Sequence, residues 1–310
     1  MRRFKGRKYA VLKVLFMKGS TIAALFLGCS LFCCQPQVAS AQNPPITFAV
    51  LADSQLGMYA KDNDFLQEKA NLEFVVANLN RLHPDFIVVC GDLTDRTGDE
   101  AEIAAYKETM RKLDPAIPVY NVPGNHDVGN LPTPSTLASY RVAHGSDYYT
   151  FHYRQVLGIV LDSNLIRSPD HVPEEAAKQE GWLRDTLSHA GPNQQILVFQ
   201  HIPYFLKDAD EKDQYFNIPS AIRKKYLDLL SANHIHLIFA GHYHRIAGGS
   251  DGWLTEVVTG AVGMPIGDSS SGFRLVQLGA SGMKTEWYCL GNIPNRIEHD
   301  LPNGGCSSGD

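Results

Sequence analysis

No aspartate or glutamate occurs before Asp53, although seven lysines and arginines do. Cysteine is scarce, at six in 310 residues, and no two have the spacing of a thiolate metal site, which excludes that chemistry. Long apolar runs are missing as well. The stretch from Thr21 to Cys34 covers 14 residues, short of the roughly 20 that a membrane-spanning helix needs. A multispan membrane protein is therefore excluded, and no stable membrane span is expected. There is no internal repeat and no low-complexity block. With 44% hydrophobic and 20% charged residues, the composition is that of a globular chain rather than a disordered or collagen-like one. The formal net charge is -5. Without the seven early cations, 21 basic residues face 33 acidic ones. A body this acidic argues against nucleic acid as a partner.

The early cations (Arg2, Arg3, Lys5, Arg7, Lys8, Lys13, Lys18) precede the apolar stretch, and Ala39-Ser40-Ala41 follows it. This order predicts a signal peptide over 1–41, cleaved before Gln42, and an exported protein, periplasmic or secreted. Met17 is an alternative start. Leu27-Gly28 before Cys29 leaves a lipoprotein reading open, and an uncleaved anchor is the plain alternative. Cleavage leaves Cys90, Cys289 and Cys306. Cys90 ends the apolar run Phe86–Cys90 and reads as core. Whether Cys289 pairs with Cys306 is left open, and the tail over 301–310 reads as flexible.

From Ile46 onward, short apolar runs alternate with amphipathic stretches. Strands are predicted at 46–52, 86–90, 118–122, 148–152, 156–161, 195–200, 236–240, 253–258, 273–278 and 284–289. Helices are predicted at 64–82, 100–113, 174–189 and 220–233. The pattern predicts a single α/β domain over 42–300, with a mainly parallel sheet and a second sheet packed on it.

Polar residues cluster where these strands end. Asp53-Ser54-Gln55 follows the first, Gly91-Asp92 the second, and Gly124-Asn125-His126-Asp127 the third. His201 follows 195–200, and Gly241-His242-Tyr243-His244 follows 236–240. Ligands bind at the carboxyl edge of open α/β sheets. Two Asp, one Gln, one Asn and three His form an oxygen and nitrogen donor set that suits zinc, manganese or iron better than calcium. With one carboxylate shared, seven such ligands fill two metal shells once solvent is added. Two metals suit in-line displacement at phosphorus.

This order of clusters resembles the calcineurin-like metallophosphoesterase superfamily from Asp53 to His244. The stretches 201–206, Tyr215-Phe-Asn217 and 241–249 are similar to the animal calcineurin-like phosphoesterase domain-containing (complete S-transactivated) serine/threonine phosphatases. The resemblance implies a four-layer α/β/β/α sandwich with two mixed β-sheets. It implies two divalent or trivalent ions, manganese, iron or zinc. Asp53, Gln55, Asp92 and His244 hold the first; Asp92, Asn125, His201 and His242 hold the second. A hydroxide between the metals attacks phosphorus without a covalent enzyme intermediate. His126 serves as acid beside the leaving group, oriented by Asp127. Gln55 stands where most of the superfamily has His and makes a weaker ligand. Asp95 stands where purple acid phosphatases carry Tyr, which sets that branch aside. The implied substrate is a phosphorylated small molecule or a phosphoprotein, attacked as a monoester. A phosphodiesterase or nucleotide hydrolase on the same site is the alternative, and a non-catalytic binding protein sits poorly with the intact ligand set. Asn164, Tyr204 and Arg245 are the candidate substrate contacts, and the loop 208–215 is expected over the site.

Overall fold

Strands β1 (Ile46–Leu51) and β2 (Phe86–Cys90) are buried at every position, and alternate residues enter two different cores. This follows from the period of two along a strand and from cover on both faces of the sheet. The computed structural model describes residues 44–306 except 192–193, 280–281 and 298–299. The leader and its Ala39-Ser40-Ala41 sequence lie outside the described residues.

In chain order β1 leads to α1 (Leu66–Leu82), β2, α2 (Glu100–Met110), β3 (Val119–Val122), α3 (Asn125–Val128) and α4 (Pro134–His144). Then come β4 (Tyr149–Tyr153), β5 (Val156–Val160), α5 (Ser163–Arg167), α6 (Pro173–His189) and β6 (Gln195–Phe199). The rest is α7 (Ser220–Ala232), β7 (Leu237–Ala240), β8 (Ala247–Asp251), β9 (Leu254–Val258), β10 (Gly272–Gly279) and β11 (Gly282–Cys289).

One sheet has the order β11-β10-β1-β2-β3, the other β4-β5-β6-β7-β9-β8. In the first, β1, β2 and β3 are parallel, and β10 runs antiparallel to both of its neighbours, β1 and β11. In the second, β5, β6, β7 and β9 are parallel, with antiparallel edges β4 and β8. Both sheets are thus mixed, as the resemblance implies. Between them, Phe48 stacks on Phe86 at 4.6 Å and meets Phe239 edge-on at 5.6 Å. Burying each such ring is worth about 1.5–3 kcal/mol. On the outer face of the first sheet, Leu72, Val75 and Leu79 of α1 cover Ala49, Ile87 and Val89. On the outer face of the second, Leu183 of α6 and Leu227 and Leu230 of α7 cover Ile159, Val198 and Ile238. The layers therefore run α/β/β/α.

The flexible tail expected from residue 301 is corrected over 301–306. Leu301 is buried, Gly305 N–H donates to the Trp287 carbonyl, and Cys306 is disulfide-bonded to Cys289. One apolar anchor and one covalent bond hold this segment against β11. Among the described residues, no helix is long and apolar enough to cross a membrane.

Candidate metal centre

The loops that leave β1 and β2 are zipped together. Asp53 N–H donates to Gly91 O at 3.0 Å and Gln55 N–H to Asp92 O at 2.8 Å. Space there is tight. A Cβ at Gly124 would lie 2.1 Å from the Asp92 backbone nitrogen, and one at Gly91 would lie 2.6 Å from His201 Nδ1. Asp53, Gln55, Asp92, His242 and His244 all have positive φ, between 38° and 68°. A non-glycine residue in that region costs of order 1–3 kcal/mol, a cost that persists where the surrounding structure over-determines it and that clusters at functional sites.

Two groups of ligand atoms form, each with its atoms within 4.8 Å of one another. One is Asp92, His201 and His242; the other is Asp53, Asp92 and His244. Asp92 belongs to both. Each imidazole is oriented by a backbone carbonyl. His201 Nδ1 faces Cys90 O at 2.8 Å, His242 Nε2 faces Tyr215 O at 3.3 Å, and His244 Nδ1 faces Met264 O. Each ring that donates there keeps its other nitrogen as a lone pair for a metal. His201 Nε2 then lies 3.1 Å from Asp92 Oδ2 and 3.0 Å from Asn125 Oδ1. Three electron-pair donors thus converge on one point. Gln55 donates through Nε2 to Asp95 at 2.7 Å, which leaves its Oε1 buried without a partner. An unsatisfied buried acceptor costs about 1–3 kcal/mol. These observations fit cations bound among Asp53, Gln55, Asp92, Asn125, His201, His242 and His244.

The charges bear the same mark. Burial drives the Asp53 carboxyl up, although His244 and His201 oppose it. Burial disfavours charge on Asp92 too, yet His201 holds that carboxyl well below the carboxylate range. Burial also disfavours the His201 cation, but Asp92 beside it lifts the imidazole to about 9. Burial and the neighbouring His201 keep His242 neutral.

His126 differs from these ligands because its side chain is 31% exposed and reaches solvent. Its N–H donates to Asp92 Oδ1 at 2.8 Å. Its Nδ1 faces the Asp95 carbonyl at 2.7 Å and the Asp95 carboxylate at 3.1 Å. Burial opposes its charge, but the hydrogen bond to Asp95 and the Asp92 charge raise it to about 10. Asp95, not Asp127, orients the ring. Asp127 instead accepts N–H bonds from Gly124, Leu93 and Thr94 at 2.8, 3.0 and 3.3 Å. It ties the loop after β3 to the loop after β2, and burial followed by repulsion from Asp92 lifts its pKa to about 7.

The expected substrate contacts also change. Tyr204 is fully buried and packs near Tyr226, because its side chain belongs to the core under α7. Asn164 is buried, and its amide donates back at 2.9 Å to Asp162, the residue that caps α5. Arg245 lies over the Tyr243 ring, with Nε on Ile266 O at 3.1 Å, and clamps the loop that carries Met264. The loop after His201 does approach the centre, since Tyr215 packs 5.1 Å from the His242 ring. Sequence reasoning missed Asp95 as a partner of both Gln55 and His126. The available signal was its place three residues after Asp92.

Residues 46–245 match the calcineurin-like phosphoesterase family. The chain belongs to that family and is a hydrolase of phosphoric esters. It is 36% identical over 275 residues to the serine/threonine-protein phosphatase CPPED1 of Danio rerio, covering 83% of this chain and 89% of the relative. Among solved structures, it resembles GAP50, the anchor in the inner membrane complex of Plasmodium. The TM-score is 0.61 at 16% identity, over 86% of this chain and 91% of that one. A dimetal phosphatase from Danio rerio matches with a TM-score of 0.56 at 18% identity, over 78% and 99%. The two structures share the fold.

Proposed function

We propose that this protein is an exported dimetal phosphatase that hydrolyses phosphomonoesters, phosphoserine and phosphothreonine among them. The observation that carries the reading is Asp92, one carboxylate common to two clusters of buried donors. Asp53, Gln55 and His244 complete the first site; Asn125, His201 and His242 complete the second. When bound, two cations supply Lewis-acid stabilisation of phosphoryl oxygens and make water a competent nucleophile near neutral pH. Manganese, iron or zinc suits this donor set.

The chain's own residues do the rest. Asp92 and the loop N–H network hold the donors rigid. Asp95 turns His126 so that its Nε2 carries a proton toward the leaving oxygen. That role is worth about 10²–10⁴-fold where the leaving group is a poor one. Tyr59, Leu131, Tyr215 and Ile246 are exposed on loops that follow the ligand-bearing strands. They offer apolar flanks suited to a peptide, which accords with the relatives' name. The Cys289–Cys306 disulfide supports export, because such bonds persist in oxidising compartments.

A phosphate-release screen with manganese, zinc and iron tests the reading. p-Nitrophenyl phosphate and phosphoserine peptides should turn over faster than bis(p-nitrophenyl) phosphate. Turnover of the diester alone, or of neither class with any metal, contradicts it. The exported protein should begin at Gln42, and retention of residues 20–35 without lipid contradicts cleavage of the leader.

A further inference from the structure

Arg167 ends α5. Strands β5 and β6 are parallel neighbours, so α5 leaves the sheet beside the loop that carries His201. Ser163 Oγ accepts the N–H of Ile202 at 2.9 Å, which pins α5 to the residue after that ligand. The Arg167 guanidinium carbon lies 5.0 Å from the centre of the Tyr215 ring. The same ring lies 5.1 Å from the His242 ring. Asn130, just past α3, accepts from Tyr215 OH and from Ser168 Oγ, each at 3.4 Å. Three loops thus meet at Arg167, the ones that follow Asn125, β5 and His201.

Arg167 Nη1 is buried and has no hydrogen-bond partner, and among the described residues no carboxylate pairs with the guanidinium. The side chain is half-buried, and a guanidinium nitrogen withdrawn from water is ordinarily hydrogen-bonded. Burial pulls its pKa down, but a guanidinium remains charged at any physiological pH, and its charge opposes protonation of His242. The other arginines near the centre are engaged. Arg96 faces Asp62, Asp99 and Glu102, and Arg245 is bonded to Ile266 O and Tyr243 OH.

We propose that Arg167, held over Tyr215 with no carboxylate partner among the described residues, binds a terminal phosphoryl oxygen of the substrate. The proposal rests on the phosphomonoesterase reading and names the residue that recognises its dianion. A monoester has three terminal oxygens and a diester two, so an additional cationic donor favours the monoester. A guanidinium matches phosphate geometry and charge.

The test is titration of inorganic phosphate into the manganese-loaded full chain by calorimetry, comparing wild type with Arg167→Gln. Metal content and thermal midpoint are measured on the same samples. Phosphate affinity should fall about 10–100-fold, the range of a lost charged hydrogen bond, with metal content retained. KM for p-nitrophenyl phosphate should rise in parallel, and kcat/KM should fall less for the bis-ester. Arg167→Met keeps the apolar stem against Tyr215 and is read in the same way if the glutamine variant fails to fold. Unchanged phosphate affinity in either folded variant overturns the proposal, as does a wild type that binds no phosphate. A wild type that hydrolyses no monoester refutes the phosphatase reading separately, and the phosphate titration still decides Arg167.

Discussion

The first sheet brings oxygen donors to the centre (Asp53, Gln55, Asp92 and Asn125), and the second brings imidazoles (His201, His242 and His244). The two groups are held in different ways. Asp53, Gln55 and Asp92 are placed by backbone bonds between neighbouring loops, with Asp127 as an extra tie. The imidazoles are placed one by one, each by a carbonyl from another segment: Cys90, Tyr215 or Met264. His201 even takes its orientation from the end of β2, in the opposite sheet. The oxygen half is thus rigid by local construction, whereas the imidazole half depends on tertiary assembly. Loss of Asp92, the one donor common to both groups, should weaken both ions, and loss of any other donor should loosen one ion at a time.

Substitutions can break this contrast at several levels. Asp92→Asn should cost most, because both ligand groups share that carboxylate. Loss of several kcal/mol of transition-state stabilisation lowers kcat/KM by about 10⁴-fold. Steady-state kinetics on p-nitrophenyl phosphate checks this, and a loss under tenfold contradicts the shared role. His126→Ala should cost about 10²–10³-fold on a phosphoserine peptide and much less on p-nitrophenyl phosphate, whose leaving group departs unaided. Equal losses on the two substrates would remove the acid role. Asp95→Asn disturbs both Gln55 and His126, so it should cost about 10–100-fold in activity and weaken metal affinity, as outer-shell partners do. Chelator titration of the metal-loaded protein reads that affinity.

The smallest expected effect lies away from the centre. His144 packs against Tyr106 and Tyr140, and burial lowers its pKa from 6.5 to about 4. Below pH 6.5 the unfolded chain takes up a proton that the folded chain refuses until about pH 4. Stability from this group is therefore present above pH 6.5 and is lost as pH falls through that window. The thermal midpoint of wild type should fall relative to that of His144→Phe as pH drops from 7 to 4. Parallel curves would deny the group any role.

Most strands and the site-bearing strand ends were legible because their signals are local, whereas the four layers came from the family resemblance. Apolar runs such as Phe86–Cys90 and the polar residues that follow them stand adjacent in the chain. Helix α4 was not legible, because only Leu137 and Tyr140 are buried in it, although Thr133 and Pro134 form a recognisable cap. Strand β8, Ala-Gly-Gly-Ser-Asp, has no apolar pattern and exists by pairing with β9. Asp95 and Arg167 escaped because their meaning depends on partners distant in sequence, Gln55 and Tyr215. Tyr204 misled for the opposite reason: it follows His201 closely in sequence, but its side chain turns into the core.

Metal stoichiometry tests the central claim most directly. Elemental analysis of the folded, gel-filtered protein should find two ions per wild-type chain, one in His244→Ala and fewer than one in Asp92→Asn. Two ions retained in Asp92→Asn, or full phosphatase activity in metal-stripped wild type, would contradict a centre built from both sheets around one shared carboxylate.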